Sequence, residues 1–437
     1  MKISNLQIIF LSIFAVALVA GVLIFAGVIP VGTSAPTGAQ GNVVIWGTIK
    51  GDLMSAPIDT LNKQNKTYRI IYIEKNAENF DTQLTEALAR GTGPDIFFMG
   101  NDLIIRHSDK VFTIPFTSVP ENTFRDTFIS LSEIYLKKDG LIALPFSVDP
   151  LVMYYNRAMF EGAGVATPPK TWDEFADLAK KITVLGPSRN ILKSAVSFGG
   201  FSNVNHAKDL LAAELIQRGN PIVSLDPVSG FRSRLADTFG LSASPASTIF
   251  SFYTDFANSV KDVYSWNPSL PNSQSAFIAG DLATYFGYAS EVLSIQAKNP
   301  NLNFSVAQLP QTKGVSIKAT FGRMNALAIS KVSPNISTAY TVASQLSGAD
   351  FQGKLSVALG LPPVRRDLLA SRPVTPYYLP VFYDSALISK AWFDPSAKDT
   401  DAIFKAIVDD INSGRQTAQS AVGKGAASLD LLLRGQR

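Results

Sequence analysis

Residues able to recognise a small polar molecule fall, in this sequence, directly after short apolar runs. Trp46-Gly47-Thr48 follows Val43-Val44-Ile45, with Lys50 two positions on. Met99-Gly100-Asn101-Asp102 follows Ile96-Phe97-Phe98, Gly287-Tyr288 closes Ala283 to Phe286, and Arg323 precedes Ala326 to Ile329. Asp149 stands at Pro150 between two apolar stretches. A carboxylate accepts two hydrogen bonds, and an aromatic ring covers a sugar's C–H face, so Asp102 and Asp149 with Trp46 or Tyr288 suit a hydroxyl-rich ligand. Each has a plainer reading too: loop solvation for the polar residues, packing for Trp46 and Tyr288. Arg323 could be a fork for a carboxylate or phosphate, or a surface charge. Trp266 could supply a further ring, although Asn267-Pro268 beside it marks a loop.

Catalytic templates are missing. The chain has no G-x-S-x-G elbow, P-loop, H-E-x-x-H or G-x-G-x-x-G. The two histidines, His107 and His206, sit in polar company and are expected at the surface. With 35 acidic residues a paired-carboxylate hydrolase stays open, but no spacing singles out a pair. There are no cysteines, which excludes thiol nucleophiles, thiolate metal sites, disulfides and a lipid-bearing cysteine. No metal or cofactor is implied.

The elements that would position these residues alternate. Strands are expected at Val43–Trp46, Tyr68–Glu74 and Ile96–Phe98. Between them lie helices at Leu53–Asn65 and through Phe80, Leu84, Ala87 and Leu88, which share one helical face. Such alternation predicts an α/β layer with parallel strands, whose ligands bind outside the carboxyl ends. Farther on, strands are expected at Val152–Tyr155, Ala283–Phe286, Phe304–Ala307 and Ala326–Ile329. Thr171-Trp172-Asp173-Glu174 has the form of a capping box. Helices are expected at Ala207–Arg218, Pro245–Lys261, Gln274–Ala279 and Ala289–Lys298; the chain then turns largely helical, ending in Asp401–Ser413 and Thr417–Leu433.

At 437 residues two core-forming units are expected. The net charge of +4 is spread thinly with no dense basic run, so a nucleic-acid partner is not expected. Ile8 to Ile29 contains one clearly polar side chain, Ser12, and is long enough to span a bilayer. Residues 1–30 are therefore read as an uncleaved anchor in preference to a cleaved signal; residues 31–41, rich in Gly, Thr, Ser, Ala and Pro, form the linker.

The stretch Tyr154-Tyr155-Asn156-Arg157-Ala158-Met159-Phe160, then Ala163-Gly164, Pro168-Pro169 and Thr171-Trp172-Asp173-Glu174-Phe175, resembles the family 1 extracellular solute-binding proteins, the maltose-binding-protein-like carbohydrate group. Gly93-Pro94-Asp95-Ile96 and Phe277-Ile278-Ala279-Gly280-Asp281-Leu282-Ala283 match further segments of that family in the right order. The resemblance implies a type II, two-lobed periplasmic-binding-protein-like α/β fold with hinge crossings near Asp149, Phe304 and Leu346. Its first lobe would hold 42–149 plus 306–346, its second 150–305 plus 347–437. It also implies a non-enzymatic, monomeric subunit of an ABC importer at the extracytoplasmic face. The ligand, expected to be a sugar or oligosaccharide, would meet Trp46, Thr48, Lys50, Asn101, Asp102, Asp149, Trp266, Tyr288 and Arg323, and membrane permease subunits would be the partners. A membrane-tethered sensing module is the alternative; a secreted glycoside hydrolase is a more distant one. Tyr154-Tyr155 would suit a ferric site, but the pair lies in the shared strand segment, so strand packing is expected.

Overall fold

A computed structural model describes residues 41–226 and 230–435. The expected anchor (1–30) and nearly all of the linker lie outside the described residues. Among those described, no helix is long and apolar enough to cross a membrane.

The first layer forms as the periodicity predicts. Strand β1 (Gly41–Gly47), helix α1 (Gly51–Gln64), strand β2 (Tyr68–Glu74), helix α2 (Phe80–Ala89) and strand β3 (Ile96–Met99) follow in order, with β1 parallel to both β2 and β3. Residues Ile96 to Met99 are all buried, as a parallel strand covered on both faces requires. On the outer edge of β2, the Asn62 amide mimics a strand partner: it donates to the Ile70 carbonyl at 2.9 Å and accepts from the Ile70 N–H at 2.8 Å.

Strand β4 (Leu144–Asn156) runs unbroken for 13 residues. Asp149 therefore lies inside one long strand rather than at the start of a new one. Beyond it come helix α3 (Glu174–Ile182), strand β5 (Ile191–Val196), helix α4 (Ala207–Gln217), helix α5 (Pro245–Asp255), strand β6 (Leu282–Tyr288), strand β7 (Phe304–Ala307) and strand β8 (Thr320–Ile329). The sheet order is β2-β1-β3-β8-β4-β6-β5, with β7 also paired to β4. The expected capping box is realised in altered form: α3 starts at Glu174, whose carboxylate accepts from the Thr171 hydroxyl at 2.8 Å and the Lys170 N–H at 3.2 Å.

Two separate apolar cores sit along this one sheet. Leu144, Phe146 and Val148 of β4 belong to the first core, while Leu151 to Tyr154 belong to the second. Strand β8 crosses back: Phe321 packs in the second core, Met324 and Ala326 to Ile329 in the first. The β4–β8 register shifts at Asn325/Ala326, just inside the first lobe, so the pairing is irregular next to the crossing. Helices α6 (Ile336–Leu346) and α7 (Ala349–Leu359) stay with the first core. Helix α8 (Leu379–Leu387) straddles both, with Phe382 in one core and Ala386 in the other, and strand β9 (Ser389–Lys390) joins β8. Helices α9 (Ala397–Asn412) and α10 (Ala418–Arg434) finish the second lobe.

This packing moves the expected boundaries. Val306, Leu309 and Phe321 lie in the second core because β7 pairs antiparallel with the second-lobe half of β4. Phe351, Leu355, Val364 and Leu369 lie in the first. The crossings fall in β4 near Asp149, in β8 between Phe321 and Met324, and around α8 and β9, rather than near Phe304 and Leu346. Tyr154 is buried with its hydroxyl on the Tyr288 carbonyl at 2.7 Å, the structural duty expected of it.

Candidate functional site

At the carboxyl end of β3, the Tyr135 hydroxyl binds the Met99 carbonyl at 2.8 Å and fixes the turn that follows. Gly100 permits that turn: a Cβ there would stand 2.5 Å from the Asp102 Oδ1. Asn101 then reaches across to the second lobe, donating through Nδ2 to the Trp392 carbonyl at 3.0 Å. Its neighbour Asp102 is partly buried and in no ion pair among the described residues. Burial, then the facing Asp394 carboxylate, push its pKa up to about 6. Parallel pairing of Trp46 with Phe97 brings Thr48 and Lys50 to the same sheet end.

On the hinge, Asp149 of β4 and Arg323 of β8 are opposite one another in register. Asp149 Oδ1 accepts the Ser290 N–H at 3.0 Å, and burial pushes this carboxyl up to about 6 as well. The Arg323 guanidinium lies 3.9 Å above the Tyr288 ring and donates to Asp209 Oδ2 at 3.0 Å. The Tyr288 hydroxyl donates to the same oxygen at 2.6 Å. Burial raises Asp209, but Arg323 and Lys208 outweigh it and leave its pKa below the ordinary value. Burial likewise opposes charge on Arg323, and the Tyr288, Asp209 and Asp149 around it win, raising its pKa. The result is a preorganised fork, anchored at one end and 56% exposed.

A second set of contacts holds this platform. His206 Nε2 meets Glu291 Oε1 at 2.7 Å, and its ring stands edge-on to Tyr288. Glu291 also accepts the Tyr288 N–H at 2.7 Å and the Gln274 amide at 2.6 Å. Lys208 Nζ binds Asp394 Oδ2 at 2.9 Å and Thr400 Oγ1 at 3.0 Å, tying α4 to the start of α9.

Several expectations are corrected here. Trp266 is 1% exposed inside the second core, so it has no face for a ligand. Tyr288 is also 1% exposed and one face already carries Arg323, so it serves as a platform rather than a stacking surface. Trp46 is partly buried with Lys75 Nζ 3.7 Å over its ring, which occupies one face. Both histidines leave the surface: His107 is fully buried against Asp81 at 2.7 Å, and His206 is 17% exposed. Each is drawn inward by a carboxylate that sequence spacing does not reveal. The structure brings together Asn101, Asp102, Asp149 and Arg323 around the lobe junction, with Thr48 and Lys50 at the first lobe's strand ends. Sequence reasoning missed Lys208, Asp209, Glu291, Trp392 and Asp394. The available signal was the position of Asp209 and Glu291, each an acidic residue in the first turn of an expected helix.

Two α/β lobes on a shared sheet, joined by strand crossings with polar residues gathered at the junction, define a hinged binding protein. The chain belongs to the bacterial extracellular solute-binding protein family, whose pattern it matches over residues 56–413. It is 24% identical over 289 residues to a binding protein of Brucella abortus (strain 2308), a match covering 65% of this chain and 66% of that one, just under two-thirds. It is 26% identical over 166 residues to the sn-glycerol-3-phosphate-binding periplasmic protein UgpB of Salmonella typhimurium, covering 33% of this chain and 36% of that one. Its fold is similar to that of the sugar-binding protein MalE from Xanthomonas citri, with TM-score 0.73, 18% identity and coverage of 91% and 98%. A Thermotoga lettingae solute-binding protein bound with α-D-tagatose is also similar, with TM-score 0.68, 21% identity and coverage of 90% and 100%.

Proposed function

We propose that the chain is the solute-capturing subunit of an ABC importer. It takes a sugar or oligosaccharide between its lobes, works without turnover, and stays attached at the extracytoplasmic face through residues 1–30. The observation that carries the solute reading is the pair of partly buried carboxylates, Asp102 and Asp149, which make no ion pair among the described residues while Arg323 is already matched by Asp209. Unpaired carboxylates accept strongly from hydroxyls and repel anions, and a charge-balanced guanidinium acts as a directional donor. The tagatose bound to one similar protein and the sugar-binding description of MalE agree with this chemistry. Binding would draw the lobes together through contacts made best in the closed form. Calorimetric titration against a panel of sugars, oligosaccharides and glycerol 3-phosphate tests it. One-to-one binding of a neutral saccharide is expected; binding of the phosphate ester alone would reject the sugar reading.

A further inference from the structure

The solute site occupies the carboxyl ends of β1 and β3, so their amino ends lie at the opposite end of the first lobe. Seven residues of strand separate the two by roughly 20 Å. At that far end is an open cavity of about 570 Å³, lined by Asn42, Thr67, Asp59, Lys63, Lys66 and Arg69, with Gly41 on its rim. All three cations are exposed, and none makes an ion pair among the described residues. The neighbouring polar groups are already committed: Asn62 to Ile70, Asn65 to the Leu61 carbonyl and the Tyr68 hydroxyl to Gln345. Three cations against one carboxylate leave the cavity with two uncompensated positive charges. The carbonyl end of α1 points here too and disfavours anions, so any anion must be held by these side chains.

Where the chain enters gives this charge a direction. Residue 41 is at the cavity, and the sequence before it carries no charge back to Lys2 and includes the apolar run Ile8 to Ile29. The ten residues 31–40 reach at most about 35 Å when fully extended. An apolar run held in a bilayer thus keeps this cavity close to lipid headgroups. Beside an anionic surface each such Lys or Arg adds to the attraction, and the effect falls off within a Debye length.

We infer that the cavity binds the phosphate of an anionic phospholipid headgroup through Lys63, Lys66 and Arg69, seating the base of the first lobe on the membrane with the solute site turned away from it. The inference rests on the membrane attachment proposed above, but not on the identity of the solute. Its test places the full-length chain in nanodiscs of phosphatidylcholine, alone or mixed with phosphatidylglycerol, and follows amide hydrogen exchange over residues 63–69. Exchange there is expected to slow several-fold in the anionic discs alone. That protection should vanish in the Lys63→Gln/Lys66→Gln/Arg69→Gln variant and persist in Lys180→Gln/Lys181→Gln, a pair exposed on the second lobe. The far-UV circular dichroism and thermal midpoint of every variant should match the parent's, which confirms their folding and keeps this outcome separate from that of the solute reading. Equal exchange in both disc types, protection that survives the triple substitution, or a chain that does not stay with the discs would each overturn the inference. So would equal protection by inorganic phosphate with phosphatidylcholine discs, which would assign the cavity to the free anion.

Discussion

Asp149 accepts the Ser290 N–H through Oδ1 at 3.0 Å. Asp149→Asn preserves the shape and removes the charge, so solute affinity should fall about tenfold or more, a loss of about 1.5–3 kcal/mol for a charge-assisted bond. The same carboxyl has a pH signature. Its folded pKa of about 6 is above the ordinary 3.8, so it binds its proton more tightly in the fold than in the unfolded chain. Its contribution is therefore fully present below about pH 4 and is lost as pH rises through 6. Measured by denaturant unfolding, Asp149→Asn should gain stability relative to the parent between pH 4 and 7, on the order of 1–2 kcal/mol; a constant difference would contradict the burial argument. Arg323→Lys keeps the charge but loses the planar fork, and should weaken solute binding about tenfold in titration.

Among the elements, β4 and β8 carry the hinge, and tight packing limits how they tolerate change. A Cβ on Gly322 would stand 2.7 Å from the Ser389 Cβ and 3.0 Å from Leu131. Gly322→Val should cost about 1–3 kcal/mol by overpacking and shift the thermal midpoint down by several degrees. These elements were legible in the sequence to different degrees. The buried strands at Ile96–Met99 and Leu282–Tyr288 and the final helices appear close to where periodicity and apolar runs predict them. Strand β4 does not, because Pro150 reads as the start of a new strand, whereas crossing between lobes makes it one strand. The lobe boundaries were equally hidden, since they follow from which core Val306 or Phe351 joins. At the site, Asp102, Asp149 and Arg323 were visible as polar residues beside apolar runs. The Asp209 carboxylate that pairs with Arg323 and the like-charged Asp394 that raises Asp102 were not, because they are 114 and 292 positions away in sequence and only the fold joins them.

For the whole molecule the consequence is motion. The two cores are distinct, and beyond the shared strands the first lobe reaches the second through Asn101 and the Trp392 carbonyl. Helix α8, Ala391 and Phe393 pack against both. Solute bound between Asp102 on one lobe and Asp149 and Arg323 on the hinge would add contacts that only the closed arrangement makes, and closure follows from that difference in affinity. The most direct measurement is small-angle scattering of the protein with and without the saccharide that titration identifies. The radius of gyration should decrease at saturation in the parent, and the half-point of that decrease should move to about tenfold higher solute concentration in Asp149→Asn. A radius unchanged in the parent while the saccharide is bound would contradict capture by hinge closure.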